Sequence, residues 1–229
     1  VSAYDLTRDE LAVLLTGEPA YRVRQVWDGL WHRRVDVAGM TELPRRIREQ
    51  LAREPAMALA LRAERVVDSD RDTTRKWLWQ LPDGARVETV LMHYPGRSTV
   101  CVSSQAGCAM ACSFCATGQA GFTRHLTSGE IVEQVMAARH AASASGRRLS
   151  NVVFMGMGEP LANYEPVWRS IEMLHAEVGL SARHVTVSTV GVVPGIRRLA
   201  EEALPVNLAV SLHAANDELR DSLVPLNRR

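Results

Sequence analysis

The chain has 229 residues, 46% hydrophobic and 23% charged, with a formal net charge of +1 at pH 7. That apolar fraction supplies a sizeable core and excludes a largely disordered chain. The near-zero net charge excludes the global basic field of many nucleic-acid binders, so any RNA contact must come from local patches. No apolar run approaches the ~20 residues of a membrane-spanning helix. The opening Val1-Ser2-Ala3-Tyr4-Asp5 lacks a secretion signal, so no membrane and a cytoplasmic location are expected.

Residues 1–58 read as a small helical domain. Leu11, Val13, Leu14 and Leu15 cluster ahead of Gly17, and Val23, Val26, Trp27, Leu30 and Trp31 recur at helical spacing. Pro44 suits the first turn of a third helix carrying Ile47 and Leu51. Arg22, Arg24, Arg33, Arg34, Arg45, Arg46 and Arg48 crowd this segment against Asp28, Asp36 and Glu42. They are either solvated helix faces or a basic patch for RNA backbone.

Residues 59–97 read as a short antiparallel β segment. Arg62–Asp68, Arg75–Leu81 and Ala85–His93 are β-rich, and Pro82-Asp83-Gly84 is a turn. From residue 98 to 229 strands alternate with helices. The strands are Ser98–Ser104, Asn151–Met155, His184–Thr189 and Val206–Leu212. The helices are a capped one from Thr127 to Ala142, then Tyr164–Val178, Pro194–Ala203 and Asp217–Leu223. This is an α/β pattern with a parallel sheet, whose ligands belong at the C-terminal strand ends. Four units do not close a barrel, so a C-terminal part is expected to be missing.

Cys108, Cys112 and Cys115 follow the first of these strands with C-x3-C-x2-C spacing, and Phe114 precedes the last. Three converging thiolates would hold three irons of a [4Fe–4S] cluster and leave the fourth open. The alternative is a zinc site that also uses Cys101, although zinc knuckles present two close cysteine pairs. Clustered thiols without a secretion signal suit a reducing compartment.

This loop resembles the radical S-adenosylmethionine (SAM) signature. Gly156-Met157-Gly158-Glu159-Pro160, at the next strand end, resembles the superfamily's SAM-ammonium motif through Gly158 and Glu159. Ser188, and Ser211, Leu212 and His213, resemble further SAM contacts; without that frame they would be ordinary strand-end residues. The segments 87–92, 101–108, 115–122, 154–161, 187–194 and 211–214 then stand in the order seen in the RlmN family of dual-specificity RNA (adenine-C2) methyltransferases, close kin of the Cfr adenine-C8 enzymes.

The resemblance implies a partial (β/α) radical-SAM barrel behind a helical RNA-binding accessory domain. It implies a [4Fe–4S] cluster and SAM as cofactors, and 23S rRNA and tRNA as substrates. An electron donor for the cluster and a monomeric state are also expected. In the family a cysteine near the C-terminus carries the methyl group to adenine. Cys101 matches the cysteine that resolves the resulting protein–RNA adduct, and Glu88 the acid that takes up a proton. Read alone, Cys101 is a buried strand cysteine and Glu88 an exposed strand carboxylate. No cysteine follows Cys115, so the methyl carrier has no counterpart here and this polypeptide is not expected to complete the cycle.

Overall fold

Each early helix has apolar residues to bury, and the first also has a local reason to start. The computed structural model describes residues 2–33, 35–69 and 71–228. Helix α1 (Arg8–Leu14) opens with a capping box between Thr7 and Glu10. Helix α2 (Tyr21–Asp28) runs into a wider turn at Gly29–Arg33, and α3 (Arg45–Leu51) follows Pro44, which is its N-cap residue. Leu11, Val26, Trp27, Trp31, Ile47 and Leu51 are all buried. The Tyr4 ring meets Trp31 edge-on at 5.1 Å. The arginines of this segment mostly have partners: Arg33 pairs with Glu42, Arg45 with Glu49 at 2.6 Å and Arg46 with Glu18 at 2.5 Å. Arg34 lies outside the described residues.

The antiparallel segment comprises β1 (Arg62–Ser69), β2 (Thr74–Gln80), β3 (Arg86–Tyr94) and β4 (Arg97–Cys101). A hairpin of β5 (Gln105–Gly107) and β6 (Phe122–His125) brackets the cysteine loop and a one-turn helix α4 (Ala116–Gln119). Then come α5 (Ser128–Ala144), β7 (Leu149–Phe154), α6 (Tyr164–Val178), β8 (Val185–Thr189), α7 (Val193–Glu201), β9 (Asn207–Val210) and α8 (Asp217–Leu223). One seven-stranded sheet runs β1-β2-β3-β4-β7-β8-β9, antiparallel up to β4 and parallel from β4 onward. The expected meander is thus continuous with the parallel strands, giving the expected α/β architecture of an open, partial barrel.

Register sorts the sheet into two faces. Trp77, Val87, Leu91, Val100, Val152, Phe154, Val185 and Val187 point to the buried side, against which α5 packs. The opposite, concave face carries Val90, Cys101, Val153, Thr186 and Asn207 in one cross-strand row. The core is continuous, joining Tyr4, Leu11, Trp27 and Trp31 of the helical segment to Val135, Phe154 and Ile171.

The strand expected over 98–104 stops at Cys101. Beyond it the chain turns onto the loop after β7: Val102 N–H donates to Val153 O at 3.0 Å, and Ser104 N–H to Met157 O at 2.8 Å. The buried Gln134 side chain of α5 locks this bend. Its Oε1 accepts from Ser103 N and Thr89 Oγ1, and its Nε2 donates to Ser103 O.

Candidate functional site

The cysteine loop sits at the C-terminal ends of the parallel strands, where an α/β sheet presents its ligand residues. Its ends are pinned by backbone: Cys108 N–H donates to Gly121 O at 2.9 Å and Cys115 N–H to Cys112 O at 3.1 Å. Gly107 lies at φ +76°, and a side chain there would run into the Gly121 carbonyl. Ser113 N–H reaches across to Leu223 O at 3.0 Å at the end of α8. Ala111 takes a positive φ of 52°, rare for a residue with a Cβ.

The four cysteines divide into three and one. Burial pushes the Cys108 thiol up from its ordinary value, helped by the nearby Glu159, Cys112 and Cys115. Burial also raises Cys112, with Cys115 and Glu159 adding to it. Cys101 is raised by burial, while the Met155 N–H on its sulfur opposes that; no other cysteine acts on it. Cys108 and Cys112 therefore both sense Cys115 and Glu159, whereas no loop cysteine acts on Cys101. Among the described residues no three His, Cys, Asp or Glu side chains are gathered as the ligands of one metal ion. A cubane places its thiolates on separate irons, so a soft, all-thiol donor set spread over a loop has the right chemistry for it.

The Gly156–Pro160 loop is welded beside this trio. A Cβ on Gly158, at φ +103°, would lie 2.6 Å from the Gln105 side chain and 2.8 Å from its backbone nitrogen. Glu159 N–H donates to Gln105 Oε1 at 2.8 Å. The Glu159 carboxylate is buried and accepts from Leu161 N–H at 3.0 Å and Val190 N–H at 2.9 Å. Burial pushes its pKa up, although those N–H groups favour the charged form. Glu159 thus ties the loop after β7 to the loop after β8.

Ser188 lies on the concave face of β8 and Ser211 continues β9, its N–H donating to Thr189 O at 2.9 Å. The ring of His213, at φ +63°, meets Phe114 with centroids 4.5 Å apart. Leu212 is 60% exposed. The structure thus brings Cys108, Cys112, Cys115, Gly158, Glu159 and His213 to one end of the sheet. Glu88 and Cys101 are diagonal neighbours on the concave face of β3 and β4, through the Val90–Cys101 pair. Glu88 is engaged by Lys76 at 2.6 Å.

Two residues of this region carry no local signal. Gln105 clamps Glu159, and Arg220 bonds the Val190 and Leu212 carbonyls and acts electrostatically on Cys112. Arg220 lies more than a hundred residues from the loop it serves.

Comparison with known proteins agrees with this geometry. The Radical SAM superfamily profile matches residues 102–228. A probable dual-specificity RNA methyltransferase RlmN of Chloroflexus aurantiacus is 55% identical over 99% of this chain and 62% of its own length. One from Roseiflexus sp. is 48% identical over 99% of this chain and 67% of its own. The crystal structure of a radical SAM methyltransferase from Sphaerobacter thermophilus superposes with a TM-score of 0.94 at 51% identity, covering all of this chain and 68% of that one. The chain thus spans somewhat under two thirds of the Chloroflexus relative. With about half its residues shared over nearly all its length, and the cysteine loop inside the matched segment, the chain belongs to the radical SAM superfamily and, within it, to the RlmN family.

Proposed function

We propose that this chain is the cluster- and SAM-binding part of a methyltransferase acting on C2 of adenosine, in 23S rRNA and in tRNA beside the anticodon. The observation that carries this reading is the thiol trio facing Glu159 at the C-terminal strand ends. Cys108, Cys112 and Cys115 hold the [4Fe–4S] cluster. When bound, that cluster supplies the electron that cleaves the SAM sulfonium. Gly158 lets the loop approach closely, and Glu159 holds its backbone in the shape that meets the SAM ammonium. Ser188, Ser211, Leu212 and His213 wall the cofactor on the far side, with Phe114 braced on His213.

Cys101 and Glu88 serve the RNA-side chemistry from the shared concave face. Cys101 resolves a protein–RNA adduct by its thiol, and Glu88 accepts a proton once RNA entry frees it from Lys76. The RNA substrate, the electron donor, the monomeric state and the cytoplasmic location belong to the same proposal, as does the RNA-binding role of residues 1–58.

One experiment separates the two cysteine roles. Wild-type chain, reconstituted anaerobically with iron and sulfide and then reduced, should turn SAM into 5′-deoxyadenosine. Cys112→Ala should reduce this by about a hundredfold or more, since a cubane missing a ligand degrades. Cys101→Ala should keep it. Normal 5′-deoxyadenosine production by Cys112→Ala would sink the cluster assignment. RNA modified by the intact protein should carry the methyl at C2; a mark at C8 would assign the Cfr-type reaction instead.

A further inference from the structure

Three arginines of the helical segment have carboxylate partners, whereas the arginines that line the largest of three adjoining clefts at the far end of the sheet have none. In the helical segment Arg33, Arg45 and Arg46 are each ion-paired. At the opposite end of the sheet from the cysteine loop, a cavity of about 360 Å3 opens at the N-terminal ends of β7 and β8. Arg139, Arg147, Arg148 and His184 line it together with Ser143 and Ser181, and no carboxylate does. An adjoining cleft shares Arg147 and Arg148 and adds Arg97, whose guanidinium stacks on Tyr94 at 4.8 Å. Another shares Arg139 and adds His32, Arg33 and His140. Among the described residues Arg97, Arg139, Arg147 and Arg148 form no ion pair.

Helices α5 and α6 both end at this cavity, and their C-terminal dipoles attract cations. Each terminus amounts to about −0.5 charge, roughly −1 together, against three guanidinium groups in the cavity lining. A positive excess of roughly two charges is left, in a chain whose formal net charge is only +1. Clustering that charge without acids opposes folding, and a bound polyanion would relieve it. Arginine's planar fork also matches phosphate oxygens in pairs.

We propose that this floor of the sheet binds the phosphate backbone of the RNA substrate, at a segment remote from the target adenosine. This rests on the reading of the substrate as RNA. Three adjoining clefts form a stripe from the helical segment to the start of β4, which suits repeated phosphates better than one small anion. The strands between floor and cysteine loop are four to six residues long, so about 13–20 Å separates the two ends. The RNA therefore has to be a folded one, large enough to pass the edge of the sheet.

The test uses a fluorescein-labelled full-length tRNA transcript and the wild-type chain, titrated by anisotropy across a range of KCl. Arg147→Gln/Arg148→Gln should weaken binding about tenfold at moderate salt and lower the log–log salt slope by about 1.4 to 1.8, for two lost phosphate contacts. Arg45→Gln/Arg46→Gln, whose side chains already have carboxylates and line none of the three clefts, should keep most of the affinity. Circular dichroism melting should be unchanged in the double variant, since it removes no ion pair. Wild-type affinity and slope in Arg147→Gln/Arg148→Gln would overturn the floor surface while leaving RNA as the substrate. Absence of tRNA binding by the wild-type chain would overturn both. Saturation of the cavity by inorganic phosphate with the tRNA isotherm untouched would make it a small-anion site and also overturn the proposal.

Discussion

Gly158 shows how one missing side chain shapes the loop after β7. Its φ of +103° disfavours a Cβ, and Gln105 occupies the space that a Cβ would fill. Gly146 has a similar positive φ of 67° but open space around it. Gly146→Ala should therefore cost about 1 kcal/mol of backbone strain, while Gly158→Ala should cost about 3 kcal/mol, because strain and a backbone clash add. Urea unfolding midpoints of the two variants check this, and equal losses would mean that Gln105 yields freely. At this scale much of the site was legible. Three cysteines in eight residues and Gly-Met-Gly-Glu-Pro are short-range patterns, and both reach one end of the sheet. Gln105 and Arg220 were not legible as site-builders, because their partners lie in segments brought together only by the sheet.

At the level of elements, the β2–β3 turn and the hairpin around the cysteine loop are joined by one side chain. Arg124 on β6 pairs with Asp83 of the turn and with Glu130, which is 1% exposed, in the first turn of α5. The Arg124 hydrogen bond holds the Asp83 carboxyl below its ordinary value of 3.8. A carboxyl depressed in the folded state adds stability above its unfolded pKa, and that contribution is lost as pH falls through the folded one. Wild type should therefore be more stable than Asp83→Asn at pH 6, with the gap closing as the pH drops below about 4. Thermal melts of both proteins from pH 6 to pH 2 measure it; a constant gap would show that Asp83 is not held by Arg124 in solution. The sequence announced the turn through Pro82-Asp83-Gly84 and the helix start through Thr127 and Glu130, and both are present. It did not announce that Glu130, Glu133 and Gln134 are buried. In isolation they read as a solvated helix face, and only the covering N-terminal segment and the bend after β4 take them out of water.

Across the whole molecule, the helical segment and the sheet share one core and a set of polar ties. Asp5 accepts from Gly129 N–H at 2.6 Å and from Thr127 Oγ1 at 2.8 Å. The buried Glu133 carboxylate accepts from Ser2 Oγ, Ala60 N–H and Leu61 N–H. Each orphaned buried donor costs roughly 1–3 kcal/mol, so Glu133→Ala should lose about 3 kcal/mol or more. Because the ties cross between segments, wild type should melt in a single transition with residues 2–58 and the sheet unfolding together. Tryptophan fluorescence follows Trp27 and Trp31 on one side and Trp77 and Trp79 on the other. Separate transitions in the wild type would mean that the two parts are thermally independent. The seven arginines among residues 20–48 read equally as solvated faces or as a basic patch, and Glu18, Glu42 and Glu49 pair with three of them.

The brace between the cysteine loop and the last helix also sets an order of events during synthesis. Ser113 and Phe114 rest on Leu223 and His213, which leave the ribosome about a hundred residues after Cys115. At roughly 5–20 residues per second this takes on the order of 5–20 s. Throughout that interval the three thiols are already made but their outer wall does not yet exist. On the cluster assignment proposed above, iron delivery and adventitious oxidation compete for the same loop in the same seconds, before that wall can favour either.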